Sequence, residues 1–251
     1  MKKMLSVFIV LFLSLIFTGG VFAEEDIVIL SEDEEGLFLH DGDVVTAVYE
    51  VIDGEWTELT VDEYLDIVEE SAEEGFEATY EKERSLQTTP FAPGEVGILN
   101  TGGGMTNDTY KYKRSSYTIG VLRTSLLTRV SPVDYNGTSR KTSLKFQISK
   151  TQKQSFSISL KSAEASKVRA NAGFTWFNER SVSTTRELEM NPKEYGWFEM
   201  APYMNKTTGY VERYNWKGQY QDKRFVTAYS PKSVSGTLDG VYYAKTSKTR
   251  P

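Results

Sequence analysis

Residues 142–190 read TSLKFQISKTQKQSFSISLKSAEASKVRANAGFTWFNERSVSTTRELEM, and this stretch decides the fold class. Its even positions carry Leu144, Phe146 and Ile148, then Phe156, Ile158 and Leu160, then Val168, Ala170, Ala172, Phe174 and Trp176. The odd positions between them are mostly Ser, Lys, Arg, Asn and Thr. A period of two means β-strands with one apolar and one wet face. Residues 155–160 and 167–177 read as the two arms of an amphipathic hairpin. Strands of this kind build a sandwich, a barrel, or a hairpin able to enter a bilayer.

Downstream and upstream of this stretch, turn residues separate further strand signals at 117–130, 197–201, 209–216, 225–229 and 234–244, the pattern of an all-β fold. Pro132 ends the first. Asn136-Gly137 reads as a hairpin turn and 191–196 as a proline-containing turn. No helix is read in this part. The expectation is an antiparallel β-sandwich or elongated β domain over 117–251, basic and rich in aromatics.

The net charge of −6 hides a division. Residues 24–88 hold 23 acidic groups against Lys82 and Arg84, a net of −21, whereas residues 89–251 hold 25 basic groups against 12 acidic, a net of +13. Opposed halves of this size shield one another or repel a shared target. The acidic half reads as a folded α+β domain over 24–78. A short apolar run at 26–30 comes first. Asp41-Gly42 and Asp53-Gly54 suit tight turns, so 37–40, 43–52 and 55–59 form a three-stranded meander. Thr60 and Glu63 make a capping box for a helix running to about residue 74, with Tyr64, Leu65, Val68 and Ala72 on its inner face. Residues 79–116 read as a linker or crossover, stiffened by Pro90 and Pro93. Lys82 and Arg84 offer a processing site at its edge.

Residues 1–23 read as a signal peptide: Lys2 and Lys3, an apolar run over 4–17, then Val21-Phe22-Ala23 before a cut. The mature chain then starts at Glu24, and the expected address is secreted and extracellular. The chain has no cysteine, which excludes disulfides, thiol nucleophiles and zinc–thiolate sites. His40 is its one histidine, so any histidine-dependent chemistry must use it.

Other motifs have simpler readings. Gly102-Gly103-Gly104 lacks the Lys-Ser or Lys-Thr of a phosphate loop and reads as a turn. His40-Asp41-Gly42-Asp43 lacks a converging third metal ligand. Glu187 and Glu189 share a strand face, and two carboxylates across a cleft can serve a hydrolase. Such a face is more simply a solvated one. The basic part interleaves aromatics with lysine and arginine. Trp197, Tyr210, Tyr214, Trp216 and Lys217 are its candidate surface-binding residues, suited to a headgroup-level belt or a sugar-stacking surface. Nucleic acid has charge in its favour but no recognition module.

The Ser/Thr-rich alternating pair at 155–160 and 167–177, then Ser181-Val182-Ser183-Thr184-Thr185, the turn at 191–196 and an aromatic strand resemble the aerolysin-type β pore-forming proteins, and secreted Gram-positive β proteins of similar pattern. The resemblance covers about 142–244. It implies an elongated β protein that binds a cell surface, oligomerises and inserts an amphipathic hairpin, often after proteolysis. A spanning strand needs about 9–11 residues. Residues 167–177 reach that length. Residues 155–160 reach it by extending back to Lys150, which puts Lys150, Gln152 and Gln154 on the lipid side.

The sequence therefore leads to the expectation of a secreted, non-enzymatic protein without cofactor or metal. Its expected partner is an anionic membrane or cell-envelope polymer, not nucleic acid. Homo-oligomerisation is implied by the resemblance, and masking by the acidic half is implied by charge. A soluble binding module for envelope polymers or polysaccharide is the alternative, and a carboxylate-based hydrolase stands third.

Overall fold

The computed structural model describes residues 29–33, 36–39, 43–69 and 108–251, and the chain is mainly β with antiparallel pairing. Residues 1–23, read as a signal peptide ending at Ala23, lie outside the described residues, as do His40, the Asp41-Gly42 pair, Lys82, Arg84 and the triple glycine. So do residues 70–107, which hold Ala72 and most of the stretch read as linker or crossover.

In chain order the strands are β1 (Ile29–Asp33), β2 (Gly36–Leu39), β3 (Val44–Ile52), β4 (Glu55–Leu59), β5 (Thr109–Leu122), β6 (Thr128–Arg129), β7 (Asp134–Tyr135), β8 (Thr142–Lys153), β9 (Ser155–Phe156), β10 (Glu179–Met190), β11 (Tyr195–Tyr214), β12 (Tyr220–Pro231) and β13 (Gly240–Ser247). Among the described residues two α-helices join them: α1 over 61–69 and α2 (Ser162–Ala170).

The spine is β11, 20 residues long. The sequence reading splits it at Pro202–Thr208, because Asn205-Lys206-Thr207-Thr208 interrupts the apolar pattern. The structure keeps one strand because β5 supplies partners for these buried polar groups. Thr207 Oγ1 lies 3.0 Å from the Tyr112 hydroxyl, Ser116 Oγ lies 2.6 Å from Thr208 Oγ1, and Asn205 Oδ1 accepts the Gly120 N–H at 3.1 Å. The start of β5 at Thr109 lies inside the stretch read as linker or crossover. Its Tyr110-Lys111-Tyr112-Lys113 alternation already has the period of a strand.

The first half of β11 pairs with β13 on one edge and with β6 and β7 on the other. Its second half lies between β12 and β5. On the far side of β13 lies β3, which carries β4 and β2, with β1 beyond. The expected meander thus forms, and it is hydrogen-bonded into the same sheet as the basic part. Its Asp53-Gly54 turn has positive φ at both residues, 56° and 81°, as a tight hairpin of this type requires.

Two layers cover this sheet. On one side β8 and β10 form a separate two-stranded sheet, and Phe146, Ile148, Val182, Leu188 and Met190 bury against Phe198, Met200, Tyr242 and Val51. On the other side α1 lays Val61, Tyr64, Ile67 and Val68 on Val48, Val241 and Tyr243. The expected capping box starts this helix: Thr60 N–H donates to Glu63 Oε2 at 2.8 Å, and Glu63 N–H reaches Thr60 Oγ1 at 3.4 Å. Leu65, read as inward, is exposed. Positions 61, 64 and 68 define the inner stripe, and Leu65 follows Tyr64 by about 100° around the axis.

Three further readings are corrected. Residues 162–170 are helical, not part of a strand. This stretch is Ala-rich, with Val168 its one β-branched residue. Glu164 accepts the Lys161 N–H at 2.7 Å and so caps it. The Asn136-Gly137 pair is not a tight hairpin, since neither residue has positive φ. Asn136 is instead buried, and its Nδ2 donates to the carbonyls of Arg140, Met190 and Asn191. The signal at 234–244 becomes a strand only from Gly240.

Candidate functional site

Between β8 and β10 the chain makes an excursion, 154–178, over one face of β5, β11 and β12. That face carries Tyr110, Tyr112, Val211, Val226 and Ala228, and the excursion covers it. Val168 of α2 is fully buried there, with Phe156, Ile158, Leu160 and Trp176 packed around it. Ala172 is buried and Phe174 half-buried, whereas Ala170 is exposed. The expected hairpin residues therefore gather on one seat, but as a short strand, a helix and a turn rather than as two arms.

The seat is held by polar clips. Ser157 N–H donates to Thr227 O at 2.8 Å, and Thr227 N–H returns to Ser157 Oγ at 2.9 Å. Ser230 Oγ takes the Phe177 N–H at 2.8 Å and donates to the Phe177 carbonyl at 3.1 Å. Arg224 of β12 reaches Glu164 Oε1 at 2.6 Å and the Ser159 carbonyl at 3.4 Å. Glu164 is buried, so this is the strongest single tie. Neither Glu164 nor Arg224 was legible as functional, because their meeting depends on α2 docking against β12.

The β8–β10 ladder does not stop cleanly at Lys153 and Glu179. The Gln154 N–H donates to Asn178 O at 2.8 Å, in the same register. Gln154 Oε1 accepts the Trp176 indole N–H at 2.8 Å and the Arg169 Nε–H at 3.1 Å. The rings of Phe156 and Trp176 stack with centroids 5.8 Å apart, and Trp176 stacks on Phe174 at the same distance.

Lys150 is not at a lipid-facing position here. Its Nζ points into the protein and donates to the carbonyls of Leu126 at 2.9 Å and Met200 at 3.2 Å. Burial lowers its pKa from 10.5 to about 8. It anchors the base of the β8–β10 sheet on β11.

Of the surface-binding candidates, Tyr214, Trp216 and Lys217 lie at the turn end of the β11–β12 hairpin, with Tyr210 four residues further back along β11 opposite Phe225, and Trp216 is 73% exposed. Trp197 does not join them. It is fully buried, with its indole N–H on Glu199 Oε1 at 2.8 Å and the Arg129 guanidinium over its ring. The sequence reading missed Lys111, Lys113 and Lys223, which cross-strand pairing places beside Tyr210 and Glu212. Glu187 and Glu189 sit on the outer face of β10, paired with Lys145 and Lys141, as a solvated strand face does.

No helix among the described residues is long and apolar enough to cross a membrane. Compared with known families and curated proteins, the chain matches no family model and no curated protein.

Proposed function

We propose that the protein acts after secretion at an anionic cell surface or membrane. There, copies oligomerise, and the 154–178 segment leaves its seat to continue β8 and β10 as a bilayer-spanning hairpin. The observation that carries this is the register. Every β8–β10 pair joins residues of equal parity, from Thr142 with Met190 to Lys153 with Glu179. Continued at the same register, the ladder sets Phe156 opposite Trp176, Ile158 opposite Phe174, Leu160 opposite Ala172, and Glu164 opposite Val168. Most of the apolar residues then share one face, with Ser162 and Glu164 near the turn, and Ser155, Ser157, Ser159, Lys161, Arg169, Asn171, Thr175 and Phe177 take the other.

The length also fits. Arms over 154–164 and 168–178, with 165–167 as the turn, have the roughly 9–11 residues of a spanning strand. The length is gained forward, through the residues of α2, and not backward to Lys150. Gln154 and Asn178 then sit at one end of the apolar band and Glu164 at the turn. A lone hairpin would leave two unpaired edges in lipid, where each unsatisfied backbone group costs several kcal/mol. Insertion therefore demands several copies closed into a barrel. The acidic stretch 24–88 is read as a cover for the basic part. Lys245 on β13 lies 3.8 Å from Asp43, one ion pair that crosses the divide. A soluble polymer-binding module is the second reading, favoured by the exposed Trp216.

The absence of cysteine makes the test clean. Ser157 and Thr227 face each other across the β9–β12 ladder, so Ser157→Cys with Thr227→Cys should form a cross-strand disulfide that pins the segment. Parent protein is expected to release calcein from anionic liposomes. The oxidised variant should not, and reduction should restore release. Undiminished release by a fully oxidised variant would sink the unfurling mechanism.

A further inference from the structure

The three-stranded part of the sheet formed by β5, β11 and β12 has two unlike faces. The 154–178 segment covers one. On the other, Tyr210 lies between Lys113 and Phe225, and Glu212 lies between Lys111 and Lys223. The three lysines are exposed, and Tyr210, Tyr214 and Phe225 are half-buried. Lys223 Nζ sits 4.5 Å from the centroid of the Tyr210 ring, and Lys111 Nζ 4.8 Å from that of Tyr214. Among the described residues Glu212 is the one carboxylate in this array, and its charge is already used. Lys113 pairs with it at 2.8 Å and the Tyr214 hydroxyl donates to it at 2.6 Å. The nearby Asp108 and Asp222 are both tied to Arg213, on the opposite face.

The hairpin tip extends the array. Asn215 Oδ1 accepts the N–H groups of Lys217 and Gln219, both at 3.0 Å, and Gly218 supplies the positive φ of 74° that closes the turn. The exposed Trp216 therefore stands on a built turn, with Lys217 Nζ 4.9 Å from its ring.

We infer that this face, with the 215–219 tip, docks the protein on an anionic phospholipid bilayer. Amphipathic rings sit favourably at headgroup depth, and lysines framing them draw the negative surface potential. A neutral polysaccharide would stack on the rings but gain nothing from the lysines. Charge complementarity selects the anionic headgroup. Docking here rests on the membrane-directed function proposed above and supplies its first step, before any movement of the segment on the opposite face.

The test uses the mature chain and vesicles rich in phosphatidylserine, with phosphatidylcholine vesicles for comparison. Lys111→Gln, Lys217→Gln and Lys223→Gln together should weaken vesicle binding by about a hundredfold. Three exposed lysines elsewhere, Lys141→Gln, Lys145→Gln and Lys248→Gln, change net charge equally and should leave binding close to the parent. Brominated lipid should quench the tryptophan fluorescence of protein whose segment is pinned by the oxidised Ser157→Cys and Thr227→Cys pair, where Trp176 stays in its seat, and Trp216→Phe in that background should remove most of the quenching. Equal loss from both lysine sets overturns the assignment, as does parent-like binding by the first set. Parent binding to soluble polyphosphate with no quenching by brominated lipid also overturns it, in favour of an envelope polymer. Binding through this face without calcein release leaves docking standing and removes insertion. Release by a variant that no longer binds does the reverse.

Discussion

Replacing Arg224 with alanine should loosen the 154–178 segment without unfolding the protein. The guanidinium lies 2.6 Å from Glu164 Oε1, and the carboxylate side chain is 5% exposed against 44% for the arginine. A hydrogen bond to a charged partner contributes about 1.5–3 kcal/mol. The exposed side of Arg224 admits water, which lowers that figure to about 1–2 kcal/mol. Glu164 keeps its Lys161 N–H bond and the positive end of α2, so it is not left wholly unpaired. If the segment opens on its own, the loss falls on that opening alone, and the open population rises about 5–30-fold. Native-state hydrogen exchange reads this directly: amides in 157–170 should exchange faster by that factor, while those of β13, buried at the centre of the sheet, should change far less. Glu164→Gln added to Arg224→Ala should recover part of the loss, because the uncompensated charge is gone. Equal acceleration in both regions would show that the ion pair serves global stability only. No acceleration in the segment would show that it does not hold the segment at all.

Lys150 gives a pH signature. Its folded pKa of about 8 lies below the unfolded 10.5, so between these values the unfolded chain holds more protons and stability rises with pH. The full shift would be worth about 3.4 kcal/mol, discounted to roughly 1–2 kcal/mol because the side chain is partly solvated. Lys150→Met should therefore flatten the melting-temperature profile between pH 8 and 10, and parallel profiles would contradict the burial argument. Burial raises Tyr242 and Tyr243 above the ordinary tyrosine range, so their ionisation falls above that window. Gly209→Ala should destabilise the β5–β11 pairing by about 1–3 kcal/mol, as overpacking does. A Cβ there would meet the Lys113 carbonyl and lie 2.9 Å from Arg114 Cα, both backbone atoms that cannot turn aside. Denaturant unfolding checks this, and a change below 0.5 kcal/mol, the range of ordinary surface substitutions, would refute the close contact.

What the sequence determined by itself is local. The period of two over 142–160 set which residues of β8 and β9 face inward, because successive side chains of a strand must alternate. Asp53-Gly54 set the β3–β4 turn, and Thr60 with Glu63 set the start of α1, since each signal is complete within four residues. Tertiary structure decided the rest. Asn205–Thr208 looks like a break until β5 arrives to satisfy it, and only then is β11 one strand. Residues 167–177 carry a strand period, yet helix propensity and the Glu164 cap make 162–170 a helix once Val168 has a seat on β12 and β5. Trp197 and Trp216 are alike as sequence, and the sheet buries one and leaves the other at a hairpin tip. The aromatic–lysine face needs three strands far apart in the chain. Periodicity specifies the side on which a residue lies, but the neighbour it meets there depends on which strands pair, and that is settled by contacts across the whole fold.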